Sequence, residues 1–289
     1  MNATLELTPA APALHDMSRL WGRAADGVEL SVVVPFYNPG AALRRTVENL
    51  VACLRDAEVG FEVIAVSDGS TDGSAQTLGG LPGVRVIDNP VNQGKGAALH
   101  QGFATARGAW IGFIDADGDI DPRHLVEYLT VARTGGHALV YADKRHTASA
   151  SAASGFRKLV SVSSSTLVSR LFQLDVRDTQ TGCKIVRRDV LAAVLPRLRE
   201  RRFAFDLELF VAADAAGIDD LKAVPVRLEE RVAGATVTSS TIIRTIRDTF
   251  VIYRRRRDNH YRPVAPVTVA VPAAAETTRT PVRALAYAA

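Results

Sequence analysis

"WIGFIDADGDIDP" occupies residues 110–122, an apolar run that ends in Asp115, Asp117, Asp119 and Asp121 at every second position. A short unbroken apolar run bounded by turn residues reads as a strand buried on both faces. Carboxylates crowded at its end repel one another, and a cation that neutralises them removes that cost. Mg²⁺ or Mn²⁺ typically takes one or two protein carboxylates and fills its remaining positions with substrate phosphates and water. Asp115 and Asp117 are therefore the candidate metal ligands, while Asp121, just ahead of Pro122, is a candidate helix cap. The glycine and terminal glutamate that a calcium loop requires are misplaced for an EF-hand.

The same kind of strand recurs upstream as "LSVVVPFYN" (residues 30–38), "FEVIAVSD" (61–68) and "VRVIDN" (84–89). Between the first two, Leu43, Val47, Leu50, Val51 and Leu54 recur at helical spacing, with Asn38 and Pro39 placed to cap and start that helix. A second helix is expected from about Lys95 to Ala106. Apolar strands alternating with helices give an α/β fold, a Rossmann-like, mostly parallel sheet with helices on both faces. In such sheets ligands sit outside the carboxyl ends of the strands. The unusual segments "PFYN", "SDGSTDGS", "NPVNQGKG" and "DADGDID" each follow a strand at that edge.

Asp68 closes a buried strand, where it can accept hydrogen bonds from a base or ribose or cap the next helix. Lys95 stands near a helix start and can meet a phosphate. "NQGKGAALHQG" is no dinucleotide fingerprint, since Leu99 stands where the third glycine belongs and the stretch does not follow the first strand.

A chain of 289 residues with 47% hydrophobic content suits one α/β domain with tails. The expected division is a flexible N-terminal tail (1–28), the domain with a basic amphipathic helix at its end (29–258), and an Ala/Pro/Thr-rich tail (259–289). Cys53 and Cys183 have no metal-ligand spacing and read as reduced thiols, which suits the cytosol. No window approaches the ~20 apolar residues of a membrane span, so the expectation is a soluble or surface-bound protein. From Arg244 to Arg262 there are seven arginines and two aspartates, so the basicity of the chain is concentrated there. Such a block suits a solvated face, a nucleic-acid patch or an anchor for anionic lipid.

The succession "VVVPFYN", "FEVIAVSDGSTDGS", "NQGKGAALHQGF", "GFIDADGDIDP", "DTQTGCKIVRRD", "RRFAFDLELF" resembles the inverting GT-A glycosyltransferases that charge polyprenyl phosphates, most closely the dolichyl-phosphate β-glucosyltransferase branch. The resemblance spans roughly residues 30–257, and "VSDGS" and "DTQTGCK" are what point to the glucosyl branch. It implies a nucleotide-sugar donor such as UDP-glucose, Mg²⁺ or Mn²⁺, and a lipid phosphate acceptor. Residue by residue it assigns Pro35, Tyr37 and Asp68 to the nucleotide, and Asp115 and Asp117 to the ribose and metal.

A phosphate acceptor with a second pKa near ~6 is already largely dianionic at neutral pH, so it needs surrounding cations more than a base. Arg145 in "ADKRH" and Lys184 in "DTQTGCK" are the candidates. Asp206 in "FAFDLELF" is a candidate orienting carboxylate or base, with Asp178 as its alternative and helix-dipole complementation as the structural explanation. Two segments mix apolar and basic residues at helical spacing, 155–174 and the later "STIIRTIRDTFVIYRRRR". Core packing explains either one, and the second is the better candidate for an anionic membrane surface on the cytosolic side. Two other functions compete. A sugar nucleotidyltransferase would want a basic Gly-rich loop after the first strand, which "PFYNPG" lacks. A noncatalytic nucleic-acid binder working through "YRRRRDNHYR" would leave the strand-end motifs unexplained.

Overall fold

A computed structural model of the chain describes residues 27–144, 168, 170–174, 176, 178–228 and 239–262. Seven strands form one sheet: β1 (Leu30–Phe36), β2 (Phe61–Ser67), β3 (Val84–Asp88), β4 (Trp110–Ile114), β5 (Leu139–Asp143), β6 (Cys183–Arg187) and β7 (Leu221–Pro225). Their spatial order is β3-β2-β1-β4-β6-β5-β7. All pairings are parallel except those of β6, which runs antiparallel to both β4 and β5. The mostly parallel α/β sheet is thus the expected one.

Successive residues of each central strand feed two cores. Val33, Ile111, Phe113 and Tyr141 enter one core together with helices α3 (Lys95–Thr105), α5 (Arg188–Val194) and α6 (Phe205–Ala215). Val32, Val34, Val140 and Ile185 enter the other, beneath α1 (Ala42–Asp56) and α4 (Arg123–Gly135). Burial on both faces is why β1 is apolar at nearly every position. The buried residues of α1 are Leu43, Val47, Leu50, Val51 and Leu54, the set given by helical spacing. A one-turn helix, α2 (Ser74–Thr77), follows β2.

The start of α1 differs from the expectation. Asn38 is not its cap: the helix begins at Ala42, and Asn38 lies in the left-handed region at φ 47°. Its side-chain oxygen instead accepts from the Thr71 amide at 2.8 Å, tying the loop after β1 to the loop after β2. Hydrogen bonding between neighbouring strand ends has outcompeted the local cap.

The C-terminal helix α7 (Ser239–Arg257) packs on α6, and Thr249 and Ile252 are buried. Order continues beyond the expected boundary at 258, because Tyr261 is only 2% exposed and donates its hydroxyl to Glu208 at 2.6 Å. The other mixed segment, 155–174, lies mostly outside the described residues, though Phe172 and Leu174 at its end are buried. Among the described residues no helix is long and apolar enough to cross a membrane. Cys53 and Cys183 are unpaired, and burial pushes the Cys53 thiol up to about 11.

Candidate active site

The reversed direction of β6 shapes the site. Because β6 is antiparallel to β4, the segment leading into β6 arrives at the carboxyl end of β4. There the Asp115 amide donates to the Gly182 carbonyl at 3.0 Å. A Cβ at Gly182 would stand 1.8 Å from Asp115 Oδ2, so the carboxylate lies flat against bare backbone. Only glycine leaves room for it.

On its other oxygen, Asp115 meets Lys95 Nζ at 2.6 Å. Lys95 also lies 3.8 Å from Asp206 Oδ2, while Asp206 Oδ1 is bound by Lys184 Nζ at 2.7 Å. Acid and base thus alternate in a chain from the strand tip inward. Both ammonium groups lie over the Phe113 ring, 5.3 and 5.0 Å from its centroid. Burial alone would lower the Lys95 pKa, but Asp115 and Asp206 outweigh it and hold the ammonium well above its ordinary value. Lys184 is fully buried and also donates to the Thr181 carbonyl at 2.8 Å. Its ammonium is thus enclosed between Asp206 and the Thr181 carbonyl, with no exposed surface.

Asp117 has a different environment. Its Oδ1 accepts from the Asp119 amide at 3.0 Å. Burial, reinforced by the Asp119 charge, pushes its carboxyl above the usual range. Asp121 is not the cap expected of it, since the N-cap of α4 is Pro122; one residue earlier, Asp121 accepts from the Arg123 amide at 2.9 Å and so stays in the turn that leads into the helix.

A cleft of ≈ 290 Å³ opens beside this cluster, lined by Pro35 and Tyr37 from the end of β1, Asp68 after β2, and Lys95 at the start of α3. Four of the five residues expected to bind nucleotide thus line one cavity, and the fifth, Asp115, is ion-paired to one of them. Asp68 uses one oxygen for the Gln93 amide (2.7 Å) and the other for the Gly94 amide (2.8 Å), which fixes the "NQGKG" loop. A carboxylate has about four acceptor sites, so capacity for a ligand remains.

The opposite wall is one the sequence did not disclose. Arg202 and Phe203 line it, as do Arg244, Thr245 and Asp248 of α7. Gly94, at φ +105°, lets this segment approach: a Cβ there would lie 2.4 Å from the Arg201 carbonyl oxygen. Buried Glu208 holds the segment from behind, accepting from the Arg199 and Glu200 amides at 2.7 Å each. Arg255 pairs with Glu200 at 2.6 Å and Glu208 at 3.1 Å, and Arg256 pairs with Asp214 at 2.7 Å. Part of the arginine block is therefore internal scaffolding. The "RRFAF" stretch and the buried face of α7 were the only sequence signals for this wall.

Asp178, the alternative base, is committed elsewhere. It accepts from the Thr181 hydroxyl at 2.6 Å and lies 3.7 Å from Lys144 Nζ. Burial would raise its pKa, but Lys144 and these hydrogen bonds outweigh that and hold the carboxyl low. Such a group is a loop staple and a poor base. Arg145 lies outside the described residues.

Among the described residues no group of three or more His, Cys, Asp or Glu side chains could enclose a metal. Two hard carboxylates at one strand end nevertheless fit Mg²⁺ or Mn²⁺, which need one or two of them when a diphosphate supplies further oxygens.

Sheet order, strand-end acids and adjoining cleft agree with the GT-A arrangement expected from the sequence. The sequence pattern described as Glycosyl transferase family 2 matches residues 31–195, more than half of the chain, and the chain belongs to that family. A dolichyl-phosphate beta-glucosyltransferase of Drosophila melanogaster is 31% identical over 225 residues, covering 72% of this chain and 67% of the relative. Another of that name from Trichomonas vaginalis is 30% identical over 218 residues, covering 70% and 64%. The chain thus spans about two thirds of the length of these relatives. Glucosyl-3-phosphoglycerate synthase from Mycobacterium tuberculosis, solved with Mn²⁺ and UDP-glucose, has the same fold at TM-score 0.60 and 20% identity, covering 86% of this chain and 87% of that one.

Proposed function

We propose that the protein transfers a hexose, glucose on the strength of its relatives' names, from a nucleotide-diphosphate sugar to a polyprenyl or dolichyl phosphate, with inversion and with Mg²⁺ or Mn²⁺. The observation that carries this reading is the ion pair of Asp115 with Lys95, near enough to Asp117 for its charge to act on the ammonium, at a cleft lined by Lys95, Pro35, Tyr37 and Asp68. UDP-glucose is the donor named with the solved neighbour.

In this reaction an acceptor phosphate oxygen forms a bond to the sugar anomeric carbon as the bond to the nucleoside diphosphate breaks. A divalent ion, when bound, neutralises charge on the departing diphosphate. Tyr37 and Pro35 offer surfaces for a base, and Asp68 offers acceptors to base or ribose. Asp117 and Asp115 would hold the ion. The acceptor is already an anion and brings its own nucleophilic oxygen, so no proton need be removed. Asp206 then serves as an orienting carboxylate, placing the Lys95 ammonium, with Lys184 as its counterion. Arg145 is retained as a further cation for the acceptor.

A lipid acceptor requires a membrane-facing surface, placed here on the cytosolic side. Tyr37 (55% exposed) and Phe203 (64%) stand at the cleft. On the outward side of α7, Ile246 and Phe250 are exposed among exposed Arg247 and Arg254. Apolar side chains interleaved with arginine suit an anionic leaflet.

The test is incubation of the purified protein and Mn²⁺ with short-chain polyprenyl phosphate or 3-phosphoglycerate and a panel of UDP- and GDP-sugars, followed by mass analysis. Glycosylated polyprenyl phosphate is the expected product. Transfer to 3-phosphoglycerate alone would replace the acceptor, and no transfer from any donor would refute the reading.

A further inference from the structure

We propose that Lys95 is a tethered cation that holds Asp115 and must leave it before a divalent ion can use that carboxylate. Metal and nucleotide then bind as a coupled pair. The inference rests on the metal-dependent reading above and goes beyond it in assigning the coupling to one side chain.

Each oxygen of the partly exposed Asp115 carboxylate already has a neighbour. Oδ2 faces the Gly182 backbone, where not even a methyl group fits, and Oδ1 carries the Lys95 ammonium at 2.6 Å. A Mg²⁺ ion binds oxygen at about 2.0–2.1 Å, so an ion on Oδ1 would stand within a few ångströms of the ammonium. Two positive centres that close, partly shielded from water, repel strongly. The ion and Lys95 therefore compete for one oxygen.

Lys95 has somewhere to go. Its side chain lines the cleft in which a diphosphate would lie, and its second anchor, Asp206 Oδ2, is already 3.8 Å away. Asp206 is itself fixed by buried Lys184 at 2.7 Å, so it stays in place when Lys95 moves. A diphosphate entering the cleft offers the ammonium new oxygens, which frees Asp115 for the ion. By linkage, each ligand then raises the affinity for the other.

The experiment is Mn²⁺ binding, followed by electron paramagnetic resonance, to the unaltered protein, Lys95→Gln and Lys95→Arg, each with and without UDP. Without UDP, Lys95→Gln is expected to bind Mn²⁺ at least ~10-fold more tightly, since a cation 4–6 Å away commonly changes a carboxylate's proton affinity by one to three decades. Lys95→Arg, which keeps the charge, should stay near the unaltered protein, and the enhancement by UDP should shrink in Lys95→Gln. Equal or weaker Mn²⁺ binding by folded Lys95→Gln overturns the proposal. Should that variant fail to fold, the ε-methylene NMR signal of Lys95 in the unaltered protein, assigned with Lys95→Arg, decides: it shifts when UDP and Mg²⁺ are added together, and an unmoved signal overturns the proposal. If the unaltered protein binds no Mn²⁺ even with UDP, the metal-dependent reading fails and takes this inference with it.

Discussion

Gly182→Ala is the substitution whose effect the geometry specifies most closely. The added Cβ would lie 1.8 Å from Asp115 Oδ2 and 2.2 Å from its Cγ. Restoring ordinary contact requires a displacement of roughly 1.5 Å or more. Backbone on that side is held by the Asp115 amide bond to Gly182 and by the β4–β6 ladder, so the carboxylate is the part that gives. It is partly exposed and can swing toward the cleft, which confines the stability loss to the ~1–3 kcal/mol typical of local overpacking. Catalysis has less tolerance, because misplacing a positioned group by 1 Å costs about 10²-fold. The expected result is a fall in kcat of ~10²-fold or more, with a melting temperature lowered by about 2–12 °C. Initial rates of glucosyl transfer and a thermal melt on the same preparation measure both. Unchanged turnover in a folded Gly182→Ala protein would refute the assignment of Asp115 to the reacting site.

Three further outcomes follow from buried groups. Lys184→Met leaves buried Asp206 with only the more distant Lys95 and should cost ~3–5 kcal/mol in urea unfolding, with much of the loss recovered in Lys184→Met/Asp206→Asn. Tyr261→Phe removes the hydroxyl donated to buried Glu208 and should destabilise by ~1.5–3 kcal/mol, which a reading of residues 259–262 as loose tail would not predict. Glu62 is opposed by burial, but the Ser31 hydroxyl and Arg107 outweigh that and hold its carboxyl below the ordinary value. Its stabilisation is therefore fully present above the unfolded glutamate pKa of ~4.3 and is lost as pH falls through the lower folded value, so the stability gap between the protein and Glu62→Gln should close in acid.

The elements legible in the sequence were those whose burial follows a simple period. β1 lies between two parallel neighbours and is apolar almost throughout, and α1 buries one stripe, so each announced itself. β6 did not, because Lys184 and Arg187 interrupt its pattern, and their burial rests on pairing with Asp206 and Asp189 and on backbone carbonyls, which local sequence does not show. The start of α1 was misplaced because Asn38 serves a neighbouring loop instead of its own helix.

The site divides in the same way. Asp68, Lys95 and Asp115 stand at strand or helix ends on the ligand-binding edge, where local sequence already indicates position. The far wall is assembled from residues distant in the chain, Arg202 and Arg244 among them, and nothing in either segment alone names the other. Charge count also misled over α7: Arg255 and Arg256 spend their guanidinium groups on Glu200, Glu208 and Asp214, leaving the exposed arginines of that helix for an external surface.

The most direct test of the central claim is a crystal structure of the protein with Mn²⁺ and UDP-glucose, using anomalous scattering to locate the metal. The ion is expected on Asp115 and Asp117 with the diphosphate, and the nucleotide in the cleft beside Tyr37 and Asp68. Manganese and nucleotide bound away from the end of β4 would contradict the account.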